Sequence, residues 1–289
     1  MTSRLSFMWN EKKDKPKKFK DLAKSEWFRF APIFRGVSEI SPLLELTKKH
    51  NSYICGGYAR YCASPRMDIE LNAGGDIDIY SYDLLSHTNL LDELRTKSYH
   101  IVNDSEYSVT LMTPDNKIYH QTWDLPLDAR RLTIQLVKPS EERKTLGNVD
   151  NIIDNFDFTV CQVAILSPSQ ALVNWKFYDD EVKMKIRKSY LTKESKDPKN
   201  TNNNPMVSFY RAMKYIKKGY KVDESFVFEM FEAWGKLAKN ELELENAKEV
   251  FRVKFMHQDS GVTELIKDIR KGRVPMPDQQ DINSQEIPF

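Results

Sequence analysis

The stretch "CGGYARYCASPRMDIELNAGGDIDIY", Cys55 to Tyr80, decides how the rest of the chain is read. It places a glycine pair, Gly56 and Gly57, where a short apolar strand turns into a helix. Further on, two aspartates, Asp76 and Asp78, flank a single isoleucine. "DIDIYSY" has the period of a strand, with Ile77 and Ile79 on one face and Asp76 and Asp78 on the other. Side chains at i and i+2 of a strand point the same way and lie close together. Two carboxylates so placed repel each other unless a cation sits between them.

A divalent metal answers that repulsion. Mg²⁺ (or Mn²⁺) takes hard oxygen ligands and keeps positions for water and phosphate. The glycine pair supplies the complement: without side chains the backbone approaches closely, and the N–H groups of a helix start attract phosphate. A metal-bearing strand beside a phosphate-binding turn points to nucleotidyl transfer from a nucleoside triphosphate, in which metal ions activate the attacking oxygen and stabilise the leaving pyrophosphate.

Outward from this stretch, "SPLLELTKKH" reads as an amphipathic helix and "SYICGG" as a strand ending in the turn. A helix follows around "LLDELRTKSY", then strands in "YSVTLMT", "KIYHQTW" and "LTIQLVK", the first two joined by the hairpin turn "TPDNK". "SEERKTLGNVDNIIDNF" is predicted to be mostly helical with Ser140 as N-cap, and "FDFTVCQVAIL" to be a strand. After the polar break "KESKDPKNTNNNP" the pattern turns helical: Phe209, Met213, Ile216 and Tyr220 form one stripe, and Arg211, Lys214, Lys218 and Lys221 another. Further helices are expected around "SFVFEMFEAWGKLA", "ELELENAKEVFRVKFMH" and "GVTELIKDIRK". The expected class is α+β: a head with a mixed or antiparallel sheet flanked by helices, followed by a small all-helical domain. The expected division is a basic flexible arm over 1–22, the head over 23–192, a polar loop over 193–205, a helical neck-like domain over 206–271 and an extended or disordered tail over 272–289.

The chain has 289 residues, 40% of them hydrophobic, enough to bury a substantial core. Its net charge of +2 excludes a polycation, yet six lysines fall within Lys12 to Lys20. No apolar run has the length of a membrane span, and the N-terminus lacks the apolar segment of a signal peptide. Cys55, Cys62 and Cys161 have no CxxC spacing, which fits a reducing cytoplasmic setting and no disulfide-linked partner. The five histidines are scattered, without metal-ligand spacing.

"GGYARY … DIDIY" resembles the active-site signature of the polymerase-β-like nucleotidyltransferase superfamily, most closely class II CCA-adding enzymes and bacterial poly(A) polymerases. Gly56, Gly57 and Arg60 match the family's glycine-rich turn, with Ala59 in place of a valine and Tyr61 in place of an aspartate. Asp76 and Asp78 match the metal-binding pair. "FDFTVCQ" is similar to the ribose-reading motif: Asp157, Phe158 and Thr159 match, whereas Asn155 and Phe156 replace two arginines and Cys161 an asparagine. "MKIRKSYL" gives Arg187 a counterpart, and Arg211 and Lys214 fall on basic positions of the neck helix. The resemblance, over about Ile54 to Asp223, implies catalytic Asp76, Asp78 and Asp157. It implies nucleotide binding by Gly56, Gly57, Arg60, Arg187, Arg211 and Lys214.

The resemblance also implies a third carboxylate on a neighbouring strand. Asp157 in "FDF" is preferred to Asp124 in "WDL", with ribose holding as its other role. Three activities are open at this point: addition of nucleotides to an RNA 3′ end of tRNA type, transfer to a protein or small molecule, and nucleotide or RNA binding without turnover.

Overall fold

A computed structural model describes residues 27–69, 76–112, 133–187 and 205–242, together with 244, 245 and 248. The basic arm, "TPDNK", "KIYHQTW", Asp124, the polar break, the tail and most of the chain after Leu242 lie outside the described residues.

The central feature is an eight-stranded sheet. Its strands are β1 (Phe28–Pro32), β2 (Ser52–Cys55), β3 (Asp76–Ser81), β4 (His100–Asp104), β5 (Ser108–Met112), β6 (Thr133–Val137), β7 (Val163–Ser167) and β8 (Gln170–Asn174). Their order is β1-β8-β7-β2-β3-β6-β5-β4, and only the β3–β6 pair is parallel. The expected mixed sheet flanked by helices is therefore what forms.

Strand alternation sends each face of the sheet into its own apolar cluster. One face carries Ile54, Ile77, Ile79, Ile134 and Leu136 beneath three helices, α1 (Ser41–Lys49), α2 (Gly56–Ala63) and α3 (Leu84–Thr96). Ile77 and Ile79 are fully buried there, and each contributes about 1.5–3 kcal/mol of transfer free energy. The opposite face carries Cys55, Ala164, Leu166 and Leu172 beneath α4 (Val149–Asp154), with Tyr53, Tyr80 and Phe156 packed alongside. Asp76 and Asp78 share that second face with Tyr80, because the first face takes the isoleucines.

The remaining elements close one end. They are α5 (Phe177–Val182), the two-residue strand β9 (Lys185–Ile186), α6 (Pro205–Ile216), β10 (Lys221–Val222) and α7 (Glu224–Ala238). β9 and β10 pair in parallel, so the largely helical part adds a short strand of its own. A third cluster is shared across this junction: Phe158, Val160 and Ile186 pack with Ala212, Tyr220, Phe226 and Met230.

Three expectations need correction. "SEERKTLGNVDNIIDNF" is helical only over Val149–Asp154; Ser140 Oγ instead accepts from the Arg143 N–H at 3.2 Å in a turn, and Gly147, at φ +102°, separates that turn from the helix. "FDFTVCQVAIL" does not run as one strand. Thr159–Cys161 is a 3₁₀ turn, and β7 starts at Val163. The stripe of Phe209, Met213, Ile216 and Tyr220 does not share one face: the first three are 38–50% exposed on α6, while Tyr220 lies beyond the helix and is 4% exposed.

Candidate active site

β2 delivers the chain to the site. Cys55 is extended (φ −128°, ψ 175°), and the chain then turns sharply through Gly56 at φ +73° into α2. That left-handed conformation is cheap only for glycine. The N-cap residue Cys55 makes no side-chain capping hydrogen bond to the start of α2. Antiparallel register sets Cys55 opposite Asp78. A Cβ added to Gly56 would lie 3.2 Å from Asp78 Oδ2 and 3.7 Å from Phe156 Cε2, whereas one on Gly57 would meet nothing within 4 Å. The backbone turn thus touches the acidic strand, and the first turn of the helix has open space beside it.

Asp76 and Asp78 both keep partial exposure on the second face of the sheet. The Asp78 carboxyl is pushed up to about 7, by removal from water first and by the neighbouring Asp76 charge second, with Arg211 opposing. The same burial and the Asp78 charge raise the Tyr80 phenol and the Cys55 thiol well above their ordinary values. This pair fits a divalent cation in its donor chemistry: two hard oxygen donors lie side by side, and one of them holds a proton near neutral pH that a cation would displace. Gln135 Nε2 on β6 donates to Asp76 Oδ2 at 3.0 Å.

Asp157 takes a different place from the one expected. It precedes the 3₁₀ turn, is 3% exposed, and forms an ion pair with Arg211 of α6. Among the described residues no three His, Cys, Asp or Glu side chains gather as a metal cage, so Asp157 does not complete one with the pair. Arg211 stands between the two groups electrostatically: it neutralises Asp157 and lowers the proton affinity of Asp78.

Arg60, expected to bind nucleotide, is engaged in a buried ion pair. It is 6% exposed, with Nε donating to Glu181 Oε1 at 2.5 Å and Nη2 to Oε2 at 3.3 Å. Ser64 Oγ and Tyr220 OH donate to the same carboxylate at 3.0 and 3.1 Å. The rings of Tyr215 and Tyr220 lie 5.2 and 5.0 Å from the guanidinium. Arg187 is likewise engaged elsewhere, donating from Nε to Asp180 Oδ1 at 2.7 Å, while Thr159 Oγ1 donates to the other oxygen of Asp180 at 2.6 Å. Lys214 is exposed on α6 with its Nζ 4.9 Å from the Tyr210 ring centre. The fold therefore brings Asp76, Asp78, Gly56 and Gly57 together, with the Arg211 charge felt at Asp78, while Arg60, Arg187 and Lys214 have the partners just described.

Sequence reasoning passed over Gln135, Glu181 and Tyr220. Gln135 carried a signal: in "TIQLV" it is the lone amide on a strand, at the parity opposite the buried Ile134 and Leu136. Glu181 and Tyr220 carried none, because they lie 121 and 160 residues from Arg60.

No protein-family model and no curated protein matches the chain. Among solved structures it is similar to a tRNA-processing enzyme in an apo form, at 17% identity and TM-score 0.48, covering 84% of this chain and 59% of that one. It is similar to the Thermotoga maritima CCA-adding enzyme complexed with tRNA, at 16% identity and TM-score 0.44, covering 86% of this chain and 55% of the other. A tRNA nucleotidyltransferase complexed with a primer tRNA and an incoming ATP analog gives 16% identity and TM-score 0.43, with 75% and 61% covered. This chain spans 55–61% of the length of these three proteins.

Proposed function

We propose that the chain is a metal-dependent nucleotidyltransferase. It moves a nucleoside monophosphate from a nucleoside triphosphate to the hydroxyl at an RNA 3′ end of tRNA type and releases pyrophosphate. The observation that carries this reading is the contact between the two motifs: Asp76 and Asp78 lie on one strand face, and the Gly56 backbone turn rests directly against Asp78.

In this reading Asp76 and Asp78 hold Mg²⁺. When bound, the ion offsets the triphosphate charge and makes the acceptor hydroxyl easier to deprotonate. Burial and the Asp76 charge raise the Asp78 carboxyl, and a bound cation would favour its ionised form. The N–H groups at the start of α2 receive phosphate oxygens, and the missing side chain of Gly57 leaves room for them. The acceptor oxygen forms a bond to the α-phosphorus as the bond to pyrophosphate breaks. Arg211 lies close enough to be felt at Asp78 and supplies positive charge beside the reacting phosphates, while Lys214 and its neighbours on α6 offer a basic surface to RNA.

The test is transfer of label from α-labelled nucleoside triphosphates in Mg²⁺ to RNA, protein or small acceptors. Label in RNA, abolished by Asp78→Asn, is the expected result. Label only in protein or small molecules overturns the choice of acceptor. Absence of label from every acceptor overturns the enzymatic reading.

A further inference from the structure

We propose that Gln135 is a positioning residue for the carboxylate pair: its amide fixes Asp76 and occupies the place beside the pair where a third acid would stand, and so sets how tightly the pair holds a divalent cation. The inference rests on the metal-dependent reading above.

β6 runs parallel to β3, with Thr133 opposite Asp76 and Gln135 opposite Asp78. Ile134 and Leu136 are fully buried in the cluster on the other face, so alternation brings Gln135 to the face of the two aspartates. From there its side chain reaches diagonally to Asp76, Nε2 to Oδ2 at 3.0 Å. An ionised carboxylate only accepts hydrogen bonds, and an amide N–H₂ only donates them, so the contact selects one orientation of both groups. One Asp76 oxygen is thereby pinned. Partners of this kind orient metal-binding groups and alter affinity without touching the metal.

The side chain is also neutral. Glutamate has the same length, and in this position it would put a third carboxylate next to Asp76. Among the described residues no third His, Cys, Asp or Glu joins the pair. The site is built with two charges and one amide, a composition that holds a cation less tightly than three acids would.

The experiment titrates Mn²⁺ into the full chain without nucleotide, following free Mn²⁺ by electron paramagnetic resonance, alongside melting curves in EDTA. Wild type, Gln135→Leu, Gln135→Glu and Asp78→Asn are compared. Gln135→Leu is expected to bind Mn²⁺ about tenfold more weakly while melting close to wild type in EDTA. Gln135→Glu is expected to bind more tightly than wild type yet melt lower in EDTA, because three acids then repel without a cation. A purely structural glutamine would not give that opposite pair of shifts. Wild-type affinity in Gln135→Leu, or affinity no tighter than wild type in Gln135→Glu, overturns the role of Gln135 and leaves the reading of the pair standing. No Mn²⁺ binding by wild type, or binding undiminished in Asp78→Asn, overturns the metal reading and this inference with it.

Discussion

Replacing Gly56 with alanine tests the contact on which the functional reading depends. Gly56 sits at φ +73°, in the left-handed region. A non-glycine residue held there costs about 1–2 kcal/mol. The new methyl would also stand 3.2 Å from Asp78 Oδ2, closer than such contacts normally allow, and Asp78 cannot retreat freely because its strand is paired on both sides. In a domain of this size each kcal/mol lowers the melting midpoint by about 2–4 °C, so backbone strain alone predicts a loss of about 2–8 °C. Gly57→Ala is the control. Its Cβ meets nothing within 4 Å, and its φ is not left-handed, so its midpoint should stay close to wild type. Both variants should lose triphosphate binding, the first by displacing Asp78 and the second by filling the space beside the helix start. The assay is scanning fluorimetry in EDTA, paired with triphosphate binding. Equal melting of the Gly56→Ala and Gly57→Ala proteins would refute the close packing of turn against acid.

Further predictions concern charge. Asp78 is an acid whose folded-state value is raised to about 7, so the native chain holds a proton that the unfolded chain sheds near pH 4. Stability from this group therefore falls as pH rises from about 4 through 7. In EDTA, Asp78→Asn should raise the melting midpoint at pH 8 and leave it little changed at pH 4; parallel curves for the two proteins would contradict the shift. Arg60→Ala strands the fully buried Glu181 without its cation and should cost about 3–5 kcal/mol in urea unfolding; a loss of about 1 kcal/mol or less would mean the pair is effectively solvated. Lys214→Ala should weaken RNA binding and reduce the slope of log affinity against log salt by about 0.7 for a single strand; an unchanged slope would remove α6 from the RNA surface.

The part of the site that was legible in the sequence lies on single elements. Asp76, Ile77, Asp78 and Ile79 declare their faces through strand alternation, and the glycine pair declares the turn by leaving no side chain to explain. The regions that misled are those where a distant partner overrides local pattern. "FDFTVCQ" is β-branched and apolar, yet Thr159 bonds to Asp180 and the Cys161 N–H turns back to the Phe158 carbonyl at 2.8 Å, so a 3₁₀ turn interrupts the run. Gln162 ends that turn buried, accepting from Asn174 at 2.6 Å and donating to the Asp154 carbonyl at 3.1 Å. On α6 the most apolar stripe faces outward, because the helix must also bring Arg211 to the buried Asp157. β8 went unread because "QALVN" is a short apolar run without alternation, and its pairing with β7 and β1 is a property of the sheet as a whole.

The junction between the sheet and the final helices bears on how such a protein can change over time. Asp157 and Glu181 are buried acids, and one partner of each, Arg211 and Tyr220, comes from beyond residue 204. A sheet separated from those helices would retain two buried acids, one without its cation and the other without a hydroxyl. Exchanging α6 for a different module would require a new cation for Asp157, whereas Glu181 keeps its own in Arg60.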